Sequence, residues 1–254
     1  MNYTDEQFDQ LEQEERSLTD EAIAAMLLIL ASTKGNLEKE LRSFYQQYGK
    51  DGVVTYQEAR KWVSEKDHRK RLTVLLLFIA TEFNSLSSKL SPKFESMLKE
   101  VVLKESGFFN VDLDASDLVT RGWGVDDLTW LDRLEDDVEL WSVYISNDLK
   151  QGMLKRKDID EILSQVDKRF MTIERVIRRL GLTESTAVGS MARKTAFKEL
   201  GITKYQFYTR ADERTCEICG SMHGLKFPIS AYEIGVTASP LHTNCRCWEV
   251  PIWD

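Results

Sequence analysis

All four cysteines of the 254-residue chain lie between positions 216 and 247, and two of its three histidines lie there as well. Thiolate and imidazole groups are the usual protein ligands of structural zinc. The spacing is Cys-x2-Cys followed by His-x2-Cys-x-Cys, and it predicts a zinc site near the C-terminal end. The candidate ligands are Cys216, Cys219, His242, Cys245 and Cys247.

The spacing of these residues constrains which of them bind one ion. Two residues between Cys216 and Cys219 allow both sulfurs to face the same ion. A structural zinc takes four ligands, so one of the five candidates is spare. Cys245 and Cys247 would point to opposite faces of a straight strand. Both bind only if the chain bends between them, and otherwise His242 takes the fourth position.

Two other interpretations of the cysteines stay open. The first is that reduced cysteines pack as small apolar groups in a β core. The second is a disulfide in a finished extracellular particle, although clustered cysteines in a reducing cytosol more often hold metal. His223 lies in a Ser-Met-His-Gly turn and is expected at the surface, and we expect no chemical role for His68.

Short β-strands are expected to position these ligands. The segment KYQFYTR (204–210) alternates aromatic and polar residues, which is typical of a strand. GLKFPIS and CWEVPIW are two further strand candidates. The sequence therefore predicts a β-rich Cys/His module over residues 202–254.

The chain before this module is predicted to be helical. Apolar residues recur at helical spacing, with predicted helix starts at Ser17 or Thr19, at Thr55 and at Pro92. Residues 106–124 are expected to form an irregular connector. Two further helices are predicted after the connector, each with an apolar stripe. The stripe of the first comprises Leu128, Leu131, Leu134, Val138, Trp141 and Ile145. The stripe of the second comprises Ile159, Ile162, Leu163, Val166, Phe170, Ile173 and Ile177.

We therefore predict a mainly α protein with a small α+β C-terminal module. A helical bundle is followed by short antiparallel strands around the Cys/His cluster. The predicted division is an N-terminal helical domain, 1–122, and a second domain, 123–254, whose helices cover 125–201. Small residues in TESTAVGSMARKTAFKELG predict a closely packed last helix.

The charge of the chain limits its partners. A formal net charge of −8 argues against the whole molecule binding nucleic acid, but basic residues cluster locally. One hypothesis is a stripe that neutralises DNA phosphates, and the other is a solvated face interleaved with acids. The stripe would comprise Lys155, Arg156, Lys157, Lys168, Arg169, Arg175, Arg178, Arg179, Arg193, Lys194 and Lys198.

No apolar run approaches the roughly 20 residues of a membrane span. The acidic N-terminus has no signal-peptide pattern. No phosphate-binding glycine loop or nucleophile motif is present, so we expect no enzyme activity.

The Cys/His module also carries a family resemblance. The segments FYTRADERTCEICGSMHGLKF and SPLHTNCRCWEVP resemble the C-terminal signature of the phage Mu F-like minor head proteins, also called head morphogenesis proteins. The matching residues are Asp212, Arg214, Thr215, Cys216, Cys219, Gly224, Pro240, His242, Asn244, Cys245, Arg246 and Cys247. Upstream, Thr183 and Glu184 match the family pattern, whereas Leu182 stands where an arginine is common.

The resemblance implies a minor capsid protein of a tailed phage. It implies a virion location inside the capsid near the portal, after synthesis in the host cytoplasm. The implied partners are the portal protein, the major capsid or scaffolding protein and, in some cases, the phage DNA during packaging or delivery. Two alternatives remain: a zinc-module nucleic-acid-binding protein, and a phage-encoded nuclease or toxin-like enzyme.

Charged residues next to the cysteines are expected to brace the module. An ion pair between Asp212 and Arg214 would hold the incoming strand against the metal loop. Arg246 would pair with Asp212 or with Glu249.

Overall fold

In residues 3–253, which the computed structural model describes, six helices are followed by a three-stranded sheet with a seventh, short helix between its first two strands. The helices are α1 (Asp5–Tyr48), α2 (Tyr56–Ala59), α3 (Arg71–Phe109), α4 (Ala115–Val119), α5 (Trp130–Leu154), α6 (Ile159–Glu199) and α7 (Glu217–Met222). The strands are β1 (Lys204–Thr209), β2 (Lys226–Pro228) and β3 (Cys247–Ile252), with a 3₁₀ turn at Ile229–Ala231. The predicted mainly α fold with a small C-terminal sheet is confirmed.

The chain divides into two compact units. Unit 1 contains the described residues up to Ala25, Pro92–Asp132, and the described residues from Ile177 onward. Unit 2 contains Met26–Ser91 and Arg133–Val176. The domain boundary between residues 122 and 123, which was inferred from the sequence, stays a prediction.

Helix α1 begins twelve or more residues before the predicted start. It begins at Asp5, so Ser17 and Thr19 lie inside it and neither is a cap. The Thr19 hydroxyl donates to the Glu15 carbonyl oxygen at 2.8 Å, one turn back, which lets a threonine occupy a helix interior. Gly35 also lies within α1 and does not interrupt it.

Helix α3 contains Pro92 in its interior, so the prediction of a helix start there is wrong. Proline removes one helical hydrogen bond, which frees the carbonyl group of Ser88. Pro92 and Ser88 are both exposed, so water can hydrate that carbonyl. The expected irregular connector contains the short helix α4, whose N-cap Asp114 accepts hydrogen bonds from two backbone N–H groups.

Helix α6 is one continuous element where the sequence predicted two. Its predicted apolar stripe is buried except for the half-buried Ile159, whereas Leu131 in the predicted stripe of α5 is exposed. Small residues extend the packed face of α6 through unit 1. A Cβ atom at Gly181 would lie 2.9 Å from the Cγ1 atom of Ile23 on α1. Gly181 therefore permits a close approach between α1 and α6.

The sheet has the strand order β2-β1-β3, and both pairings are antiparallel. All three strands fall in the predicted segments. Tyr205 and Phe207, on the buried side of β1, are fully buried. Tyr205 packs with Phe197 of α6 in one core cluster, and Phe207 packs with the cysteines in another. The sheet thus joins the end of α6 to the Cys/His cluster.

Candidate metal centre

The first two cysteines are positioned by a helix start. Cys216 is the N-cap of α7, and its sulfur accepts a hydrogen bond from the Cys219 N–H group at 3.4 Å. Cys219 lies in the first turn of α7 and is buried. This Cys-x2-Cys segment therefore places both sulfurs at one end of α7, a helix that the sequence did not predict.

The other three candidate ligands lie in the loop before β3 and at its first residue. Helix α6 holds this loop through two threonines. The Thr183 hydroxyl accepts from the Asn244 N–H group at 3.0 Å, and the Thr186 hydroxyl donates to the Cys245 carbonyl oxygen at 3.3 Å. These contacts fix the backbone of the second ligand segment at Asn244 and Cys245.

The five donor atoms form two groups of three that share Cys219. In each group the atoms lie within 4.8 Å of one another. The groups are Cys216, Cys219 and His242, and Cys219, Cys245 and Cys247. The structure therefore brings all five predicted ligands together and places Cys219 at the centre.

The separations between donor atoms suit a tetrahedral ion. The Nε2 atom of His242 lies 3.2 Å from the Cys216 sulfur and 3.1 Å from the Cys219 sulfur, and the Cys219 and Cys245 sulfurs are 3.8 Å apart. Ideal zinc bond lengths give about 3.8 Å between two sulfurs and about 3.5 Å between sulfur and nitrogen.

The histidine is oriented for binding through Nε2. Its Nδ1 atom lies 2.8 Å from the Thr243 carbonyl oxygen, which is an acceptor only. The Nδ1–H group therefore donates to this carbonyl, and the Nε2 lone pair faces the thiols. In metal-binding histidines, a hydrogen bond from the ring nitrogen that does not bind the metal commonly fixes the orientation of the ring.

The pKa values of the thiols are pushed apart. A hydrogen bond from Cys247 lowers the pKa of Cys245 to about 5, whereas the same contact raises the pKa of Cys247. Burial raises the pKa of Cys219 to about 12, and the Cys219 N–H group lowers the pKa of Cys216. The cluster thus combines thiol and thiolate groups, and a divalent cation would displace the remaining protons.

An arginine between two cysteines ties the two ligand segments together. Arg246 donates to both oxygens of Asp212, at 2.6 and 2.5 Å, and this pairing holds the pKa of Asp212 well below its usual range. Arg214 instead donates its backbone N–H group to Asp212, so the predicted ion pair of their side chains is wrong. Glu249 is fully buried and accepts from Tyr232 and from the backbone of Ser239.

The two remaining histidines lie outside the donor groups. His223 is exposed, as expected, and its Nδ1 atom accepts from the Thr209 N–H group at 3.2 Å. His68 packs edge-on against Trp62, with ring centroids 6.1 Å apart.

A buried charge network in unit 1 was not predicted from the sequence. Arg193 is 2% exposed and forms ion pairs with Glu12, Glu15 and Glu105. Its guanidinium also lies 4.0 Å from Glu249. The hypothesis that Arg193 belongs to a phosphate-binding stripe is therefore wrong, because its charge is neutralised inside the protein.

One sequence signal pointed to this network. In α3 the buried apolar positions Leu98, Val101 and Phe109 recur at helical spacing, and Glu105 falls on the same face. A carboxylate on an apolar stripe requires a buried partner. Arg169, another member of the proposed stripe, is also paired, with Asp148 at 2.6 Å.

The fold and the site define a mainly helical protein whose C-terminal sheet carries a metal-capable Cys/His cluster. Residues 144–250 match the family model described as Phage Mu protein F like protein, so this part of the chain is similar to that family. The match contains all five donor residues and confirms the predicted resemblance. Searches of curated proteins and of solved structures gave no match. Among the described residues, no helix is long and apolar enough to cross a membrane.

Proposed function

We propose that the protein is a minor capsid protein of a phage head, with a structural role in virion assembly. The match of residues 144–250 to the Mu F-like family carries this proposal. The protein would bind the portal protein and the major capsid or scaffolding protein, on the inner side of the capsid near the portal. It would contribute to packaging or delivery of the genome through this position.

We further propose that the Cys/His cluster holds one structural zinc ion. The donor set consists of sulfur and nitrogen atoms, which suit zinc, and it offers enough ligands to fill four positions from the protein alone. A site filled in this way has no open position for a substrate, which supports a structural role and not a catalytic one. Cys219 is a ligand in either arrangement because both donor groups contain it.

The test is to complement a phage that lacks this gene with wild-type protein or with Cys219→Ser. We expect mass spectrometry to detect the wild-type protein in purified particles, and metal analysis to find zinc in the isolated protein. The Cys219→Ser variant should lose the zinc and yield fewer intact heads, because the C-terminal module loses its central ligand.

The matched control is His223→Ala, which removes a histidine of the same module that lies outside both donor groups. This variant should keep the zinc and the wild-type yield of heads. Absence of the wild-type protein from particles would reject the capsid role. Zinc-free wild-type protein that assembles normally would reject the metal while leaving the capsid role intact.

A further inference from the structure

A basic hairpin in unit 2 presents an exposed tryptophan. Residues 61–71 double back on themselves, with a backbone hydrogen bond of 2.9 Å from Val63 to Arg69 and a bridge between Trp62 and Lys70. The Trp62 side chain is 54% exposed. The hairpin backbone is thus held by hydrogen bonds, while about half of the Trp62 side chain faces solvent.

Cations lie against the aromatic rings of this region. The Nζ atom of Lys70 lies 5.8 Å from the centre of the Trp62 ring, a cation–π distance. Two further pairs have the same form, at 4.3 and 5.9 Å respectively: Arg71 over Tyr48, and Arg60 over Tyr56. The surface therefore alternates flat rings with positive charge.

A second basic loop joins this surface. The Ile159 N–H group donates to the Gly52 carbonyl oxygen at 3.2 Å, and Val53 bridges Asp158. These contacts place residues 155–157, a Lys-Arg-Lys run, beside the loop that follows α1. The loop that follows α1 and the 155–157 run line one groove beside the hairpin. Its walls include Lys50, Arg60, Arg156, Tyr48 and Tyr56, together with the acidic Asp51 and Glu58.

The local charge is opposite to that of the whole chain. Residues 48–71 and 154–158 together carry ten lysines and arginines against five acidic residues, in a chain of net charge −8. Three of the ten form ion pairs: Lys61 and Arg71 with Glu58, and Arg69 with Asp67.

Among the residues that the structure describes, the other seven cations have no ion pair with a carboxylate. They are Lys50, Arg60, Lys66, Lys70, Lys155, Arg156 and Lys157. Lys50, Arg60 and Arg156 line the groove, and the other four lie on the adjoining loops, so these charges can meet a polyanion at this surface.

We propose that this basic aromatic surface, residues 48–71 and 155–157, binds single-stranded nucleic acid. The free cations contact backbone phosphates, and an unpaired base stacks on Trp62, a combination typical of single-strand binding. A duplex offers phosphates but keeps its bases stacked inside. Residues 48–71 lie outside the family match, and the whole surface lies outside the Cys/His cluster, so this proposal does not rest on the zinc proposal.

The first test is a fluorescence polarisation titration of the full-length protein with labelled oligothymidine and with a matched duplex. Replacing Trp62→Ala should weaken binding of the single strand roughly tenfold, because one stacking contact is lost. Binding of the duplex should change less than about twofold, because phosphate contacts remain. Trp62→Phe, which keeps an aromatic face, should restore most of the affinity.

The second test removes three of the free cations together: Arg60→Gln, Lys66→Gln and Arg156→Gln. The slope of log Kd against log salt should fall by about 2, since each lost phosphate contact contributes about 0.7 for a single strand. The matched control neutralises three exposed lysines elsewhere and should leave the slope unchanged: Lys39→Gln, Lys89→Gln and Lys93→Gln.

Several results would overturn the proposal. One is no binding of oligothymidine by the wild-type protein at about 50 mM salt, where electrostatic binding is strong. Others are equal losses in the test and control triples, or an unchanged single-strand affinity in Trp62→Ala. Displacement of oligothymidine by polyglutamate at equal charge would show that the surface takes an acidic protein segment instead. All variants change exposed side chains, and circular dichroism checks their folding.

Discussion

A single arginine is surrounded by more carboxylates than its charge can neutralise. Arg193 faces Glu12, Glu15, Glu105 and Glu249 inside unit 1. Burial raises the pKa of Glu15, of Glu249 and of Glu105, the last to about 7. The network therefore holds protons at a pH where exposed carboxyl groups have lost theirs.

This network predicts a pH-dependent stability. The pKa of Glu105 is raised from an ordinary value of 4.5 to about 7, so the folded state binds a proton that the unfolded state releases. The free energy of unfolding should fall by about 1.4 kcal/mol per pH unit across this window, through Glu105 alone. Stability from this group is full below pH 4.5 and lost as the pH rises to about 7.

The variant Glu105→Gln removes this dependence. Its free energy of unfolding relative to wild type, from urea denaturation, should increase between about pH 5 and about pH 7 and then become constant. Glu100→Gln, an exposed position on the same helix, is the control and should give a flat difference. A flat difference for Glu105→Gln as well would show that Glu105 ionises normally.

At the scale of elements, α6 contacts each of the main features of unit 1. Its threonines hold the second ligand loop, its Arg193 holds the charge network, and its small residues accept α1. Gly181 is the clearest example, because a helix interior otherwise disfavours glycine by roughly 1 kcal/mol relative to alanine. The close contact with Ile23 explains why a glycine fits at this position.

Two glycine-to-alanine changes test this explanation. Gly35 lies inside α1, and a Cβ atom added there would have no other atom within 4 Å, so Gly35→Ala should stabilise the protein by about 0.5–1 kcal/mol. Gly181→Ala should fall short of that gain or destabilise, because its Cβ atom would meet Ile23 at 2.9 Å. Thermal denaturation measures both, and equal gains would contradict the packing role of Gly181.

At the scale of the whole molecule, the two compact units differ in what stabilises them. Unit 2 consists of helical segments with a core of apolar side chains, whereas unit 1 also contains the small sheet with its sulfur cluster. A sheet of three short strands buries little apolar area, so the proposed metal would add a large share of its stability.

Removal of the metal by a chelator should therefore destabilise the sheet of unit 1 more than the helices of unit 2. Hydrogen exchange of the zinc-loaded protein should show loss of amide protection in β1 and β3 after chelation, while α5 in unit 2 keeps its protection. Cys219→Ser should reproduce this pattern without chelator. Equal loss of protection in β1 and α5, or no loss in either, would contradict a metal that acts locally.

The sequence by itself determined the local features of this protein. Helical periodicity, strand alternation in Lys204–Thr209 and the Cys/His spacing are properties of neighbouring residues, so they predicted the fold class and the five cysteine and histidine residues that cluster. The family signature is likewise a run of nearby residues. Helix ends were less predictable, because Pro92 and Gly35 interrupt a helix only when their surroundings cannot compensate for them.

Only the tertiary structure decided which distant residues meet. Arg193 looks like a surface cation in its own helix, and its burial follows from carboxylates that α1, α3 and β3 bring to it. The pairing of Arg246 with Asp212 and the joining of two basic loops in unit 2 depend in the same way on packing. Such contacts join positions tens of residues apart, and local propensity carries no information about their separation in space.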